Sequence, residues 1–534
     1  MRLEFTWQGY RYLPYEHLFA KRELAALFGR QAEPGSAGMW LEYQGDWQTA
    51  ASRTTYFYRA LAEDGTEVTP LQAVLEATAK GVADDWPSRT IPPKLTRQNT
   101  RYSAHGLHEY RGKFNPQVVR AIGNILGLGS GAWVLDPFCG SGTTLLEAGH
   151  IGWNAVGVDL NPLAVQIAAA KIAAVHMSID RLIAEMHSLF HRLAAVLGDT
   201  ALEKPLSAKD ITKIAGDDWQ QTLPNFEYLS AWFTVSVLAQ LAAIKRAVEK
   251  IGRQDGRQVF LTILSDILRQ VSLQEPADLR IRRRKSSPEN LPVIPLFIEA
   301  VRDRIASIER ACQHLPSPQA DQYVALADSR RCEDAIRSLM QSPHRLFDAA
   351  MTSPPYATAL PYIDTQRLSL AFLGLVNAKE LRRLERALIG TREITNGDRC
   401  QLESALAHNA LGLPRGCLAL CRRLRRCIDG DVDGFRRQNR PALIYRYLAE
   451  MQQTFEQMRR LLKKGAPFAL LVGRNQTTLG GREIVIDTPC LLCELAEHNG
   501  FDLQETVELD TYSRFDVHSA NSIRSEALII LRRR

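Results

Sequence analysis

Val134-Leu-Asp-Pro-Phe-Cys-Gly-Ser-Gly-Thr-Thr144 is the stretch on which the reading of this chain turns. The apolar run Trp133-Val-Leu135 ends at Asp136, a glycine-rich turn follows, and Thr143 to His150 has helical character. Next, Ala155-Val-Gly-Val158 reads as a second strand closing on Asp159, and Pro162 opens a helix that extends through Ala174. Proline suits a first helical turn, where its missing N–H costs nothing. Strand, turn, helix, strand, helix is the start of a doubly wound α/β sheet. Within the turn, Phe138-x-Gly140-x-Gly142 lets the backbone come close to a ligand. The helix beginning at Thr143 offers free N–H groups and a positive dipole end to a ligand carboxylate. Asp159, closing the next strand, is placed to accept ribose hydroxyls. The third glycine of a dinucleotide fingerprint is absent, as is a Walker-type Gly-Lys-Ser/Thr.

Working outward, residues 1–95 read as a small N-terminal module, helical from His17 to Phe28, joined by the turn-rich basic segment Trp86 to Arg101. Residues 105–176 form the ligand-binding half of the sheet domain. Residues 177–318 read mainly as a helical insertion, with apolar periodicity over Tyr228 to Ile251 and Val259 to Val271. The α/β texture returns over 319–364, with Tyr323-Val-Ala-Leu326 near Asp328 and Leu346 to Met351 running into Thr352-Ser-Pro-Pro-Tyr356. A second helical, basic insertion fills 365–440. Residues 441–534 close the sheet, through helix Leu443 to Lys464, strand Pro467 to Val472, helix Pro489 to His498 and strand Ala527 to Leu531.

With 534 residues, 45% hydrophobic and 23% charged, the chain has the composition of a globular protein with a substantial core. No apolar run is long enough to span a membrane, and no leader-like segment opens the chain. Nine scattered cysteines suit a reducing cytoplasm. The net charge of +7 is unevenly spread: basic clusters stand at Arg280-Ile-Arg-Arg-Arg-Lys285, at Arg422 to Arg426, and at Arg436-Arg437 with Arg440. Such clusters can neutralise phosphates, and equally serve as solvated helix faces. Arg280, Arg282, Arg283, Arg284 and Lys285, beyond a proline break, are the expected nucleic-acid contact.

Asp136-Pro-Phe-Cys-Gly-Ser-Gly-Thr-Thr144 and Thr352-Ser-Pro-Pro-Tyr356 together resemble the cofactor and catalytic motifs of the S-adenosylmethionine-dependent DNA amino-methyltransferases, which act on cytosine N4 or adenine N6. His108-Glu-Tyr-Arg-Gly-Lys-Phe-Asn-Pro116 resembles the family segment over the methionine end of the cofactor. The resemblance covers about half the chain and omits residues 1–95 and both insertions. It implies a Rossmann-like seven-stranded methyltransferase sheet that binds S-adenosyl-L-methionine through Lys113, Phe114, Asp136, Phe138, Gly140, Gly142, Thr143, Asp159 and Asp328. Ser353, Pro354, Pro355 and Tyr356 are then the catalytic residues. Ser353 Oγ and the Pro354 carbonyl can accept the hydrogens of an exocyclic amine, and Tyr356 can stack on an extruded base.

Serine at the first catalytic position points, within the family, to cytosine N4 in double-stranded DNA, in a restriction-modification or phage-defence system with an endonuclease as partner. Adenine N6, an RNA base, and a non-catalytic nucleic-acid-binding role are the alternatives. Methylation at cytosine C5 would need a thiolate. Pro489-Cys490 exists but opens an apolar helix far from the catalytic strand. Cys400, Cys417, Cys421 and Cys427 lie among Leu and Arg in helical register, and no metal site is expected.

Overall fold

The computed structural model describes residues 1–79, 93–198, 207–275, 282–284, 291–315, 320–342, 344–357, 362–377, 379–510 and 525–534. The N-terminal module is more than a helix. Strands β1 (Arg2–Trp7), β2 (Glu33–Pro34), β3 (Gly38–Glu42), β4 (Phe57–Ala62) and β5 (Glu67–Val68) form an antiparallel sheet in the order β2-β3-β1-β4-β5. Helix Pro14–Phe28 buries Phe19, Leu24 and Phe28 against it. That apolar core is continuous with Val118, Val134 and Leu528 of the following domain.

The second sheet carries the site. Its strands are β6 (Trp133–Asp136), β7 (Asn154–Asp159), β8 (Gln322–Leu326), β9 (Ala349–Thr352) and β10 (Pro467–Gly473). After a two-stranded hairpin, β11 (Asn475–Leu479) and β12 (Arg482–Ile486), come β13 (Phe501–Asp510) and β14 (Ser525–Arg533). The seven strands run β13-β14-β10-β9-β6-β7-β8. The five from β8 to β10 are parallel, and β14 pairs antiparallel with both neighbours. This is the expected Rossmann-like seven-stranded α/β sheet. The inner strand β10 is an unbroken apolar run, as a strand covered on both faces requires. The edge strand β13 alternates and carries charges, which discourages further pairing. Helices Pro116–Ile125 and Pro162–His176 start alike: proline in the first turn behind an asparagine whose side chain accepts a backbone N–H.

Between β7 and β8, helices including Ile179–Leu197, Val235–Glu249, Gln254–Val271 and Val293–Cys312 pack on one another around a core of their own. Tyr228 to Ile251 is not one helix. It breaks into Phe226–Ser230 and Val235–Glu249, because Thr234 caps the second piece by accepting the Val237 N–H. Between β9 and β10 lie Tyr362–Phe372, Leu381–Ala387, Asn396–His408, Arg415–Arg426 and the long helix Arg440–Leu461. Cys417 and Cys421 face the apolar core beneath Arg415–Arg426, while Cys400 is exposed. No single helix among the described residues is long and apolar enough to cross a membrane.

Candidate active site

Strand order reverses between β6 and β9, and in open α/β sheets ligands bind in the crevice beyond the strand carboxyl ends at such a point. β6 ends there in Asp136 and β9 in Thr352. Asp136 is 2% exposed and knits both loops together. Its carboxylate accepts the Thr144 hydroxyl at 2.6 Å, the Phe138 N–H at 3.1 Å, and the Thr352 hydroxyl at 2.6 Å. Burial pushes its pKa up to about 6 against these bonds.

The glycine turn needs its glycines. Gly140 and Gly142 have φ of +49° and +76°, and a β-carbon on Gly142 would stand 2.7 Å from Ala168 in helix Pro162–His176. That helix also brings the wholly buried Lys171 beneath the turn, its Nζ 3.2 Å from Ser141 Oγ; burial drives its pKa well down. Asp159 holds the turn from the β7 side, accepting the Gly140 N–H at 3.0 Å and the Asn161 N–H at 2.8 Å, and burial raises its pKa to about 6. Thr143 Oγ1 is buried in the first turn of helix Thr143–Ile151 with no hydrogen-bond partner. An orphaned hydroxyl at a helix N-terminus, beside glycines that allow close approach, fits a cofactor carrying a carboxylate and a ribose.

Tyr110, to which the sequence reading gave no role, packs 3.3 Å from the position of a Gly140 β-carbon. It belongs to the same segment as Phe114, 9% exposed in the core, and Lys113. Lys113 donates to the Thr100 carbonyl at 2.9 Å and is pushed down to about 8, first by burial and then by Arg101. Phe138 is half-buried against the core on the β8 side of the turn. Asp328 stands apart in its chemistry: Arg330 grips its carboxylate at 2.7 Å while also bonding Glu450 and the Ala387 carbonyl. Burial alone would raise the Asp328 pKa, but Arg330 brings it below the usual value.

Beyond Thr352, Ser353 and Pro355 are half-buried and Pro354 is buried. Tyr356 donates its hydroxyl to Glu526 on β14 at 2.8 Å, and Asn475 at the start of β11 donates to the Ala357 carbonyl at 2.9 Å. Glu526 and Asn475 follow in the chain by more than a hundred residues, and no local pattern marks them. Of the expected nucleic-acid contact, Arg280 and Lys285 lie outside the described residues. Arg284 turns its guanidinium to the carbonyls of Gln270 and Gln274, and Arg283 donates to the Ala231 carbonyl. Arg282 is exposed.

Among the described residues, one group has the convergence of metal ligands: His105, Glu147 and His150. Glu147 Oε1 accepts from Tyr102, His105 and His150 at 2.9, 2.8 and 3.2 Å, and Oε2 takes Arg120 at 2.8 Å. Burial pushes His105 down to about 3, so its ring is neutral. A divalent cation would sit, unhydrated, beside a buried guanidinium that already balances the carboxylate. The donor set reads as a hydrogen-bond hub closed on Glu147 rather than a metal centre, with His105 Nδ1 and one Arg120 nitrogen left without a partner.

A sequence profile of the N6/N4 DNA methylase family matches residues 50–170. The type II methyltransferase M.BsoBI of Geobacillus stearothermophilus is 24% identical over 307 residues, 54% of this chain and 56% of that one. M.MjaII of Methanocaldococcus jannaschii is 31% identical over 357 residues, 54% and 65%. The chain thus spans between about half and two thirds of these relatives. A tRNA (guanine(10)-N2)-dimethyltransferase of Methanothermobacter thermautotrophicus is 42% identical over 52 residues, 10% of this chain. The cofactor that belongs with this family and fold is S-adenosylmethionine.

Proposed function

We propose, because this chain is a relative of the N6/N4 DNA methylases, that it transfers a methyl group to the N4 amine of cytosine in double-stranded DNA. The observation that carries the reading is the Thr352–Asp136 hydrogen bond, which fixes the Ser353–Tyr356 loop to the glycine turn across two adjacent strands. S-adenosylmethionine, when bound, supplies an electrophilic methyl group, and the chain's own residues do the rest. The first turn of helix Thr143–Ile151 and Asp159 bind and orient the donor's carboxylate and ribose. Ser353 Oγ and the Pro354 carbonyl accept the amine's hydrogens, which frees its lone pair from the ring. Tyr356, its hydroxyl tethered by Glu526, holds the flipped base by its ring face.

The duplex contact falls on the second insertion, where Phe435 is 56% exposed with the Arg399 guanidinium 5.8 Å above its ring. Arg436 and Arg437 follow it in the chain and are exposed, Arg437 standing 3.9 Å from the Asp433 carboxylate; Arg392 is exposed and Arg440 half-buried. Burial, then Arg392 and Arg437, lower the Arg440 pKa, which marks a concentration of positive charge suited to phosphates. Arg283 and Arg284 already donate to carbonyls of their own insertion, so on this reading they contribute less to the duplex contact. A cytoplasmic setting and a restriction endonuclease of matching specificity go with this reading. RNA is the second reading, favoured by the short tRNA-methyltransferase match.

The test is mass spectrometry of nucleosides from DNA and RNA of a methylation-free host expressing the chain. N4-methylcytosine in DNA is expected, absent with Ser353→Ala. N6-methyladenine would overturn the base assignment, and modification of RNA alone would overturn the DNA reading.

A further inference from the structure

Residues 387–393 cross the back of the Ser353–Ala357 loop. Gly390 has φ +77°, and a β-carbon there would stand 2.5 Å from the Tyr356 carbonyl oxygen and 3.7 Å from Pro355 Cβ. Ile389 packs in the same buried cluster as Ala357. Two arginines hold the segment from the other side. Arg330 donates to the Ala387 carbonyl at 2.9 Å. Arg446, on helix Arg440–Leu461, donates to the carbonyls of Thr391 at 3.0 Å and Glu393 at 3.1 Å. Backbone carbonyls thus receive guanidinium donors on one face while the bare Cα of Gly390 presses the loop on the other.

We propose that residues 387–393 are a positioning strap, with Gly390 as the bearing point that sets the height of the Pro355–Tyr356 backbone. The strap would tie the second insertion to the reacting loop, and so extends the proposed function, on which it rests. No other residue suits position 390: any side chain is strained at that φ and collides with a carbonyl whose flanking residue is proline-stiffened. Because Asn475 holds the Ala357 carbonyl and Glu526 the Tyr356 hydroxyl, displacement at the Tyr356 carbonyl tilts the ring instead of translating the whole loop.

Gly412 supplies the control. It lies in the same insertion with φ +67°, and a β-carbon there meets nothing within 4 Å. Alanine at either site imposes similar backbone strain, but only at 390 does it push the loop. Two readouts are taken on the full chain: steady-state methyl transfer at saturating cofactor, and hydrogen exchange of the Ser353, Tyr356 and Ala357 amides. Gly390→Ala is expected to raise loop exchange and to lower kcat by ~100-fold, the scale of a 1 Å misplacement. The KM for the cofactor should match that of Gly412→Ala, while the Tm should fall further, because the collision at 390 is with backbone and the site at 412 is open. If Gly390→Ala does not fold, Arg446→Gln, which frees the strap from behind, should raise the same exchange. Equal exchange and kcat in the two alanine variants would overturn the strap. An inactive wild-type chain would refute methyl transfer and leave the exchange comparison to decide the strap alone.

Discussion

At Asp136, burial and hydrogen bonding oppose each other, and burial wins: three donors surround the carboxylate, yet its pKa rises to about 6. An unfolded aspartate titrates near 3.9, so protonation favours the fold. That contribution is complete below about pH 4 and is lost as pH rises through about 6, a swing of about 3 kcal/mol. Asp136→Asn should therefore gain stability relative to wild type across this window. Thermal melts at successive pH values check it, and a constant Tm difference would refute the sign. At Tyr356 the ring and the hydroxyl separate. Tyr356→Phe loses the Glu526 bond, worth about 1 kcal/mol, and keeps its stacking face, so kcat should fall less than ~10-fold. Tyr356→Ala should lose transfer while cofactor binding persists; similar rates in both would remove stacking from the mechanism. The loop bonds of Asp136 and Gly140 were legible because their partners sit within one motif or on adjacent strands. Gly390, Asn475 and Glu526 were not, since each meets the loop only through the fold and carries no pattern of its own.

Elements lock together through Glu147, which helix Thr143–Ile151 sends beneath the turn Ser103–Gly106 and helix Pro116–Ile125. Burial alone would raise its pKa, but Arg120 and the two histidines hold it well below the usual range. It therefore stabilises the fold above the ordinary carboxylate range and loses that effect as pH falls. Glu147→Gln leaves Arg120 buried without a counter-charge, at a cost of about 3–5 kcal/mol. A chelator should leave the wild-type Tm unchanged; a chelator-sensitive Tm would instead make the hub a metal site. The same contrast governs which strands could be read from sequence. β6, β7 and β10 announce themselves as apolar runs because both faces are covered. β13 and the N-terminal strands are mixed in polarity because one face or edge meets solvent, and they were missed. The β11–β12 hairpin was missed despite Gly480-Gly481 at its turn, a signal that was there to use.

On the scale of the molecule, charge is divided between two insertions that do different things with it. In the first, Arg283 and Arg284 spend their guanidinium groups on carbonyls of their own insertion. In the second, Arg436 and Arg437 are exposed beside Phe435 and their guanidinium groups bond no carbonyl among the described residues, Arg437 having only a 3.9 Å ion pair to Asp433. Arg392 follows Gly390 by two residues, a backbone reach of at most about 7 Å, so phosphates flanking a base at Tyr356 fall within range of this cluster. Each phosphate neutralised on B-DNA contributes about 0.9 to the slope of log K against log salt. Replacing Arg436 and Arg437 with alanine should lower that slope by about 2 and weaken binding on all sequences alike. Arg284→Ala should lower the Tm and leave the slope unchanged, because its donors already serve the fold. Titrations of duplex DNA at several salt concentrations distinguish the two. A slope that falls with Arg284→Ala and not with the Arg436/Arg437 pair would return the duplex to the first insertion.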